Sequence, residues 1–156
     1  MTTRTVVHDT FAIERRYAAS PARVFAAFAD SSVKMQWFGE GGVEANKPDI
    51  FEFRVGGRES HRGDVGDDLT YTYDALYHDI IDSERIVYAY EMTINSKRVS
   101  VSVATIELLA DGSGTHLILT EQGAFLDGLD NNAQRQHGTE ELLDALGRYL
   151  AEGEAS

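Results

Sequence analysis

Residues 131–150 read NNAQRQHGTEELLDALGRYL, and the second half of this stretch decides how the rest of the chain is arranged. Leu142, Leu143, Leu146, Tyr149 and Leu150 fall at i, i+1, i+4, i+7 and i+8, an apolar stripe at helical period. Glu140, Glu141, Asp144 and Arg148 take the opposite side. Acids early, Arg148 late and Gly153 beyond it as a C-cap candidate all suit a helix dipole. About 20 residues at ~1.5 Å each extend about 30 Å, enough to cross a whole sheet. Gly138 weakens a helix, so it is expected where a neighbouring backbone comes close. By itself the segment is a packing helix, and its partners must come from the chain before it.

Those partners alternate with period two. Thr5–Tyr17 reads as a long first strand through Val7, Phe11, Ile13 and Tyr17. Ser20-Pro21 starts a short helix, with Ser20 capping and Pro21 at a position where no N–H is needed. Val24, Phe25 and Phe28 are its buried side. Asp30-Ser31-Ser32 starts a second helix, with Val33, Gln36 and Trp37 on one side, ended by Phe38-Gly39. Gly39–Pro48 is glycine-rich and polar and reads as a loop. Ile50–Val55 and Arg58–Arg62 flank Gly56-Gly57, a two-residue hairpin signal. A turn that tight places Arg54 opposite Glu59 and Glu52 opposite His61. Phe51, Phe53, Ser60 and Arg62 then share one face, and His61 is a solvated partner of Glu52. Thr70–Ile80 pairs with Arg85–Thr93, and Arg98–Leu109 with Thr115–Gln122 around Asp111–Gly114. Gly123–Asp130 leads into the long helix.

A strand, two short helices, six hairpin-linked strands and a terminal helix imply an α+β domain with helices on one face of a seven-stranded antiparallel sheet. Residues 1–156 are expected to form one domain. A curled sheet closing over a single helix is hard to fill, which leaves room for a ligand cavity.

The chain carries 26 acids against 14 bases, a net charge of -12, with 42% hydrophobic residues. Phosphate backbones and anionic membrane faces need clustered Lys and Arg, so neither is an expected partner. With no cysteine, disulfides, thiolate zinc sites and cysteine nucleophiles are excluded. No apolar run approaches the ~18 residues of a membrane span, and the first ten residues lack a signal-peptide core; a cytoplasmic protein is expected.

The order of motifs resembles the helix-grip fold of the START-like superfamily, also called polyketide cyclase or SRPBCC proteins. It is most similar to the family named after the C-terminal domain of the activator of the heat-shock protein 90 ATPase. The matching residues are Ser20-Pro21-Ala22-Arg23-Val24-Phe25, Trp37-Phe38-Gly39, Arg54-Val55-Gly56-Gly57-Arg58, Ser83-Glu84-Arg85-Ile86-Val87-Tyr88 and Gly114-Thr115. His137-Gly138 with Leu142-Leu143 and Leu146 completes the set. The resemblance runs from about Phe11 to Leu150. It implies a scaffold rather than one activity, since a fold does not determine a reaction. Asp82-Ser83 stands where relatives often carry two prolines, which is expected to loosen a turn.

Candidate ligand contacts follow from the aromatic set Trp37, Phe51, Phe53, Tyr71, Tyr73, Tyr77, Tyr88 and Tyr90, joined by Leu142 and Leu146 of the helix. Tyrosine offers an apolar body with one hydrogen-bonding tip, suited to a planar or amphipathic molecule. The alternative is that these are ordinary core residues. Arg62 and Glu121 are the charged residues that alternation puts on apolar faces, where each must be paired or face water in a cavity. Either would then hold a polar group of the ligand, and Glu121 becomes an acid–base candidate if burial raises its pKa. A one-residue register slip would put either in solvent. His8, His61, His78, His116 and His137 show no metal-ligand spacing, so no metal is expected. Phosphate-loop, dinucleotide and nucleophile-elbow patterns are missing, and no cofactor is expected.

The leading expectation is a protein that binds a hydrophobic small molecule between sheet and terminal helix. A cofactor-independent cyclase, dehydratase or hydrolase is the alternative. A third reading is a chaperone-activator-like module binding a protein on the outer sheet face. A homodimer through a strand edge or the long helix is compatible with each.

Overall fold

The computed structural model describes residues 3–38, 48–65 and 68–155. Strand β1 (Val6–Tyr17) is followed by helices α1 (Pro21–Ala29) and α2 (Ser31–Trp37). Strands β2 (Ile50–Phe51), β3 (Arg58–Val65), β4 (Leu69–Ile81), β5 (Arg85–Ile94), β6 (Lys97–Asp111) and β7 (Gly114–Leu126) come next, and helix α3 (Asn132–Ala155) closes the chain. The strands form one seven-stranded antiparallel sheet in the order β1-β7-β6-β5-β4-β3-β2, the α+β helix-grip arrangement. The residues read as the Gly39–Pro48 loop lie, except for Pro48, outside the described residues.

Local chemistry explains the starts of the helices. Ser20 Oγ accepts the N–H of Arg23 with Pro21 at the first helical position, and Asp30 accepts the N–H of Ser32 at the head of α2. Asn131 Oδ1 accepts from Gln134 N–H at the head of α3. The core joins Phe11 and Ile13 of β1, Val24 and Phe28 of α1, and Trp37 of α2 to Leu117 and Leu119 of β7. Leu143, Leu146 and Leu150 of α3 seal it. The helix runs diagonally across the sheet. Near its start Arg135 reaches Tyr90 of β5 and Ser100 of β6. Farther on, Tyr17 of β1 donates to Leu143 O (2.8 Å), and Arg23 of α1 to Leu150 O (2.8 Å).

The structure corrects several expectations. The β2–β3 connection is not a two-residue turn. Ile50 pairs with Ser60 and Phe51 with Glu59, so residues 52–57 form a wider loop and the register moves by three. An odd shift exchanges the two faces of a strand relative to its partner. Gly57 closes that loop: a Cβ there would collide with Glu52 O, and Gly57 O accepts the Tyr77 N–H. Strand β7 does not stop at Gln122 but runs to Leu126. Gly153 is no cap, since α3 continues to Ala155. Gly138 meets no neighbouring backbone, and a Cβ built on it would touch nothing within 4 Å. Close neighbours meet the later glycines instead: a Cβ at Gly147 would lie 3.2 Å from the Tyr17 ring, and one at Gly153 would collide with the Arg23 guanidinium. In α2 the buried partner of Trp37 is Lys34, whereas Gln36 is exposed. At Ile81–Glu84 Ser83 sits at φ 62°, which the ring of a proline forbids, so the turn is rebuilt rather than loosened.

Candidate ligand cleft

Alternation sets Tyr73, Ala75 and Tyr77 of β4 beside Tyr88 and Tyr90 of β5 on the face that looks toward α3. Their rings touch: Tyr73 and Tyr90 centroids lie 4.8 Å apart, and Tyr88 stands 5.9 Å from both Tyr77 and Tyr90. Burial raises the pKa of all four tyrosines, so they stay protonated donors. A buried carboxylate stands at each end of this ladder.

At the β7 end Glu121 is 3% exposed, as alternation along β7 predicts. Its Oε2 accepts the Tyr90 hydroxyl (2.9 Å) and lies 3.8 Å from Arg135 Nη1. Burial drives the Glu121 pKa up to about 7, against the Tyr90 hydrogen bond and the Arg135 charge, which pull it down. Arg135 is itself buried. Nη1 donates to Tyr90 Oη (3.0 Å) and Ser102 Oγ (3.4 Å), and Nη2 to Ser100 Oγ (2.7 Å) and Asp130 (2.6 Å). With its terminal N–H groups committed, Arg135 acts as a clamp holding the start of α3 on β5 and β6. Sequence reasoning missed it, although a signal was present. Seven residues back from Leu142, the helical stripe passes through Gly138 and Thr139 and lands on Arg135.

At the β3 end Glu59 is 1% exposed. Lys34 Nζ lies 2.8 Å from its Oε1, which also accepts the Tyr77 hydroxyl, and His61 Nε2 lies 2.6 Å from its Oε2. Burial works to raise the Glu59 pKa, but Lys34 and the hydrogen bonds from His61, Lys34 and Tyr77 outweigh it and hold it down to about 2. His61 is therefore not the solvated partner of Glu52. Its ring stacks on Phe38 (centroids 5.2 Å, planes 11° apart) and meets the Tyr73 ring at 5.6 Å.

Between the two clusters lies a cleft of about 280 Å³. His61, Tyr71, Tyr73, Tyr90 and Met92 of the sheet wall it on one side, with Phe38 from the end of α2. Asp130, Gln134, Arg135, Gly138, Thr139 and Leu142 wall it from the helix side. Of the candidate contacts, Tyr71, Tyr73, Tyr90 and Leu142 are brought together here. Glu121 sits behind Tyr90, and Tyr88, a rung of the ladder, is not part of the cleft wall. Leu146 is fully buried in the core, and Trp37 is too, its indole N–H donating to Ala27 O (3.1 Å). Phe53 packs among Phe25, Phe51 and Tyr77, while Phe51 lies near Lys34. Arg62 is exposed on β3, on the opposite face from Glu59 and His61, so the apolar surroundings expected for it are absent. No helix among the described residues is long and apolar enough to cross a membrane.

A protein of Rhizobium leguminosarum is 41% identical over 97% of this chain and 99% of its own, with a TM-score of 0.90. Mll3558 of Rhizobium loti is 44% identical over 93% and 99%, with a TM-score of 0.85. CalU16 of Micromonospora echinospora shares the fold at 17% identity, covering 98% and 88%, with a TM-score of 0.64. A comparison with curated proteins finds no match. The family model for activator of Hsp90 ATPase homolog 1-like proteins matches residues 18–151, and the helix-grip sheet with its crossing α3 is the SRPBCC-type scaffold of that group. The chain belongs to the family of activator of Hsp90 ATPase homolog 1-like proteins.

Proposed function

We propose that this protein binds a small hydrophobic or aromatic molecule in the cleft between β3–β5 and α3. The supporting observation is the shape of the helix side at Gly138. A missing side chain, with open space where its Cβ would be, keeps room beside the aromatic wall of Phe38, Tyr71, Tyr73 and Tyr90. The volume lies just below the ~300–1,000 Å³ usual for ligand sites, which suits a molecule of one or two rings.

Gly138→Leu tests this, because it fills the cleft without meeting another atom at Cβ and replaces a poor helix former by a good one. Leucine is favoured over glycine by roughly 0.8 kcal/mol in a helix interior. The variant is expected to melt no lower than the parent. Compounds from an aromatic metabolite library that raise the parent's melting temperature should leave the variant's unchanged. Library hits that stabilise both proteins equally would refute the cleft as their site.

A second reading, cofactor-independent acid–base catalysis, is supported by Glu121. A carboxyl with a pKa of about 7, bonded to a tyrosine hydroxyl in the cleft wall, is suited to giving and taking a proton near neutral pH. In that case turnover of a bound compound would follow a titration near pH 7 and disappear in Glu121→Gln, while the compound still binds.

A further inference from the structure

Several polar groups around the cleft are already spoken for, while the Tyr71 hydroxyl, the Gln134 amide and one nitrogen of His61 have no partner among the described residues. Arg135 is committed to Tyr90, Ser100, Ser102 and Asp130, and the Thr139 hydroxyl donates to Arg135 O (2.8 Å). Asp130 accepts from Arg135 and from the Asn131 N–H. His61 differs. Because the Glu59 carboxylate can only accept, the ring carries its proton on Nε2, and in the neutral ring Nδ1 is left as an acceptor. Nδ1 has no partner among the described residues and is not a sealed polar atom, and the ring that carries it lines the cleft.

Glu59 makes this arrangement rigid. Lys34 and Tyr77 hold the carboxylate from behind, and Phe38 and Tyr73 hold the imidazole on its face and edge. The ring can neither flip nor exchange tautomers without breaking a buried hydrogen bond. A cationic ligand would find every carboxylate here already occupied, and an anionic one would find Arg135 and Lys34 already paired. Either would lose its hydration for no partner charge. A neutral donor on a flat apolar body matches the neutral groups that are left, with Nδ1 as its acceptor beside the aromatic wall.

We propose that His61 is the ligand-recognition acceptor of the cleft, positioned by Glu59, and that its ligand is a neutral aromatic hydroxyl compound, a phenol or an enol, donating its O–H to Nδ1. This rests on the cleft being the binding site.

The experiment compares 1-naphthol with 1-methoxynaphthalene, which has nearly the same body and no donor, by calorimetry on the full chain. A single neutral hydrogen bond is expected to favour the naphthol about tenfold. His61→Gln keeps an N–H for Glu59 but places no acceptor where Nδ1 stood, and should reduce the preference to about twofold or less. If that variant fails to fold, ¹⁵N NMR of the parent's imidazole decides. Naphthol should shift the Nδ1 resonance upfield and the ether should not. Equal binding of both compounds, or an Nδ1 resonance indifferent to naphthol bound in the cleft, overturns the role of His61 and leaves the cleft reading standing. Binding of neither overturns both.

Discussion

Replacing Glu121 by glutamine should change how stability depends on pH, and the size of the change follows from the burial of one carboxyl. In the unfolded chain Glu121 titrates near 4.5, while in the folded protein its pKa is about 7. The folded state therefore binds the extra proton between these values, and stability must fall as pH rises through that window. A displacement of about 2.5 units at ~1.36 kcal/mol each is on the order of 3 kcal/mol, complete above pH ~8. Glutamine cannot titrate, keeps the shape and still offers Tyr90 an acceptor. Urea unfolding of both proteins from pH 5 to pH 8 isolates the term, because every other titrating group is common to the pair. With a urea slope of ~1–3 kcal/mol/M, the midpoint of the parent should fall by about 1–2 M relative to the variant over that range. Two pH profiles that run parallel would show that Glu121 ionises in the folded state as easily as in the unfolded one. The acid–base reading of the cleft would then lose its support.

Lys34→Met should act at the other end of the tyrosine ladder with the opposite pH sense. It leaves Glu59 buried without its cation, a loss of about 3–5 kcal/mol at neutral pH by chemical denaturation. Because the folded-state pKa of Glu59 is depressed, the parent's advantage is present above about pH 4.5 and disappears as pH falls toward 2, so the deficit of the variant should narrow there. A deficit independent of pH would assign the loss to packing instead. Ser20→Ala removes the acceptor for the Arg23 N–H at the start of α1 and should cost about 1 kcal/mol, a drop of roughly 2–4 °C in the melting temperature.

Chain-local chemistry made much of the fold legible. The caps at Ser20 and Asp30, the strand alternation from Thr70 onward and the stripe at Leu142–Leu150 each act within a few residues, where sequence spacing and physical distance coincide. Glu121 was legible for the same reason, as it continues the buried alternation of Leu117 and Leu119 on β7. Arg62 and His61 were misplaced because their assignment passed through a turn. Gly56-Gly57 permits a two-residue hairpin, but the chain closes a wider loop, and a shift of three residues turned the outer face inward. Gly138 carried a signal whose meaning was reversed, a gap left open rather than a contact made close.

The sequence by itself determined the order of elements, the antiparallel sheet and the apolar stripe of the terminal helix, because propensity, capping and periodicity are short-range. Tertiary structure alone decided that Lys34 meets Glu59 across 25 residues, that Arg135 reaches Ser100 across 35, and that His61 turns inward. A charge can be buried only where its partner arrives from elsewhere in the chain, and a partner's arrival depends on register and packing, which no local pattern encodes.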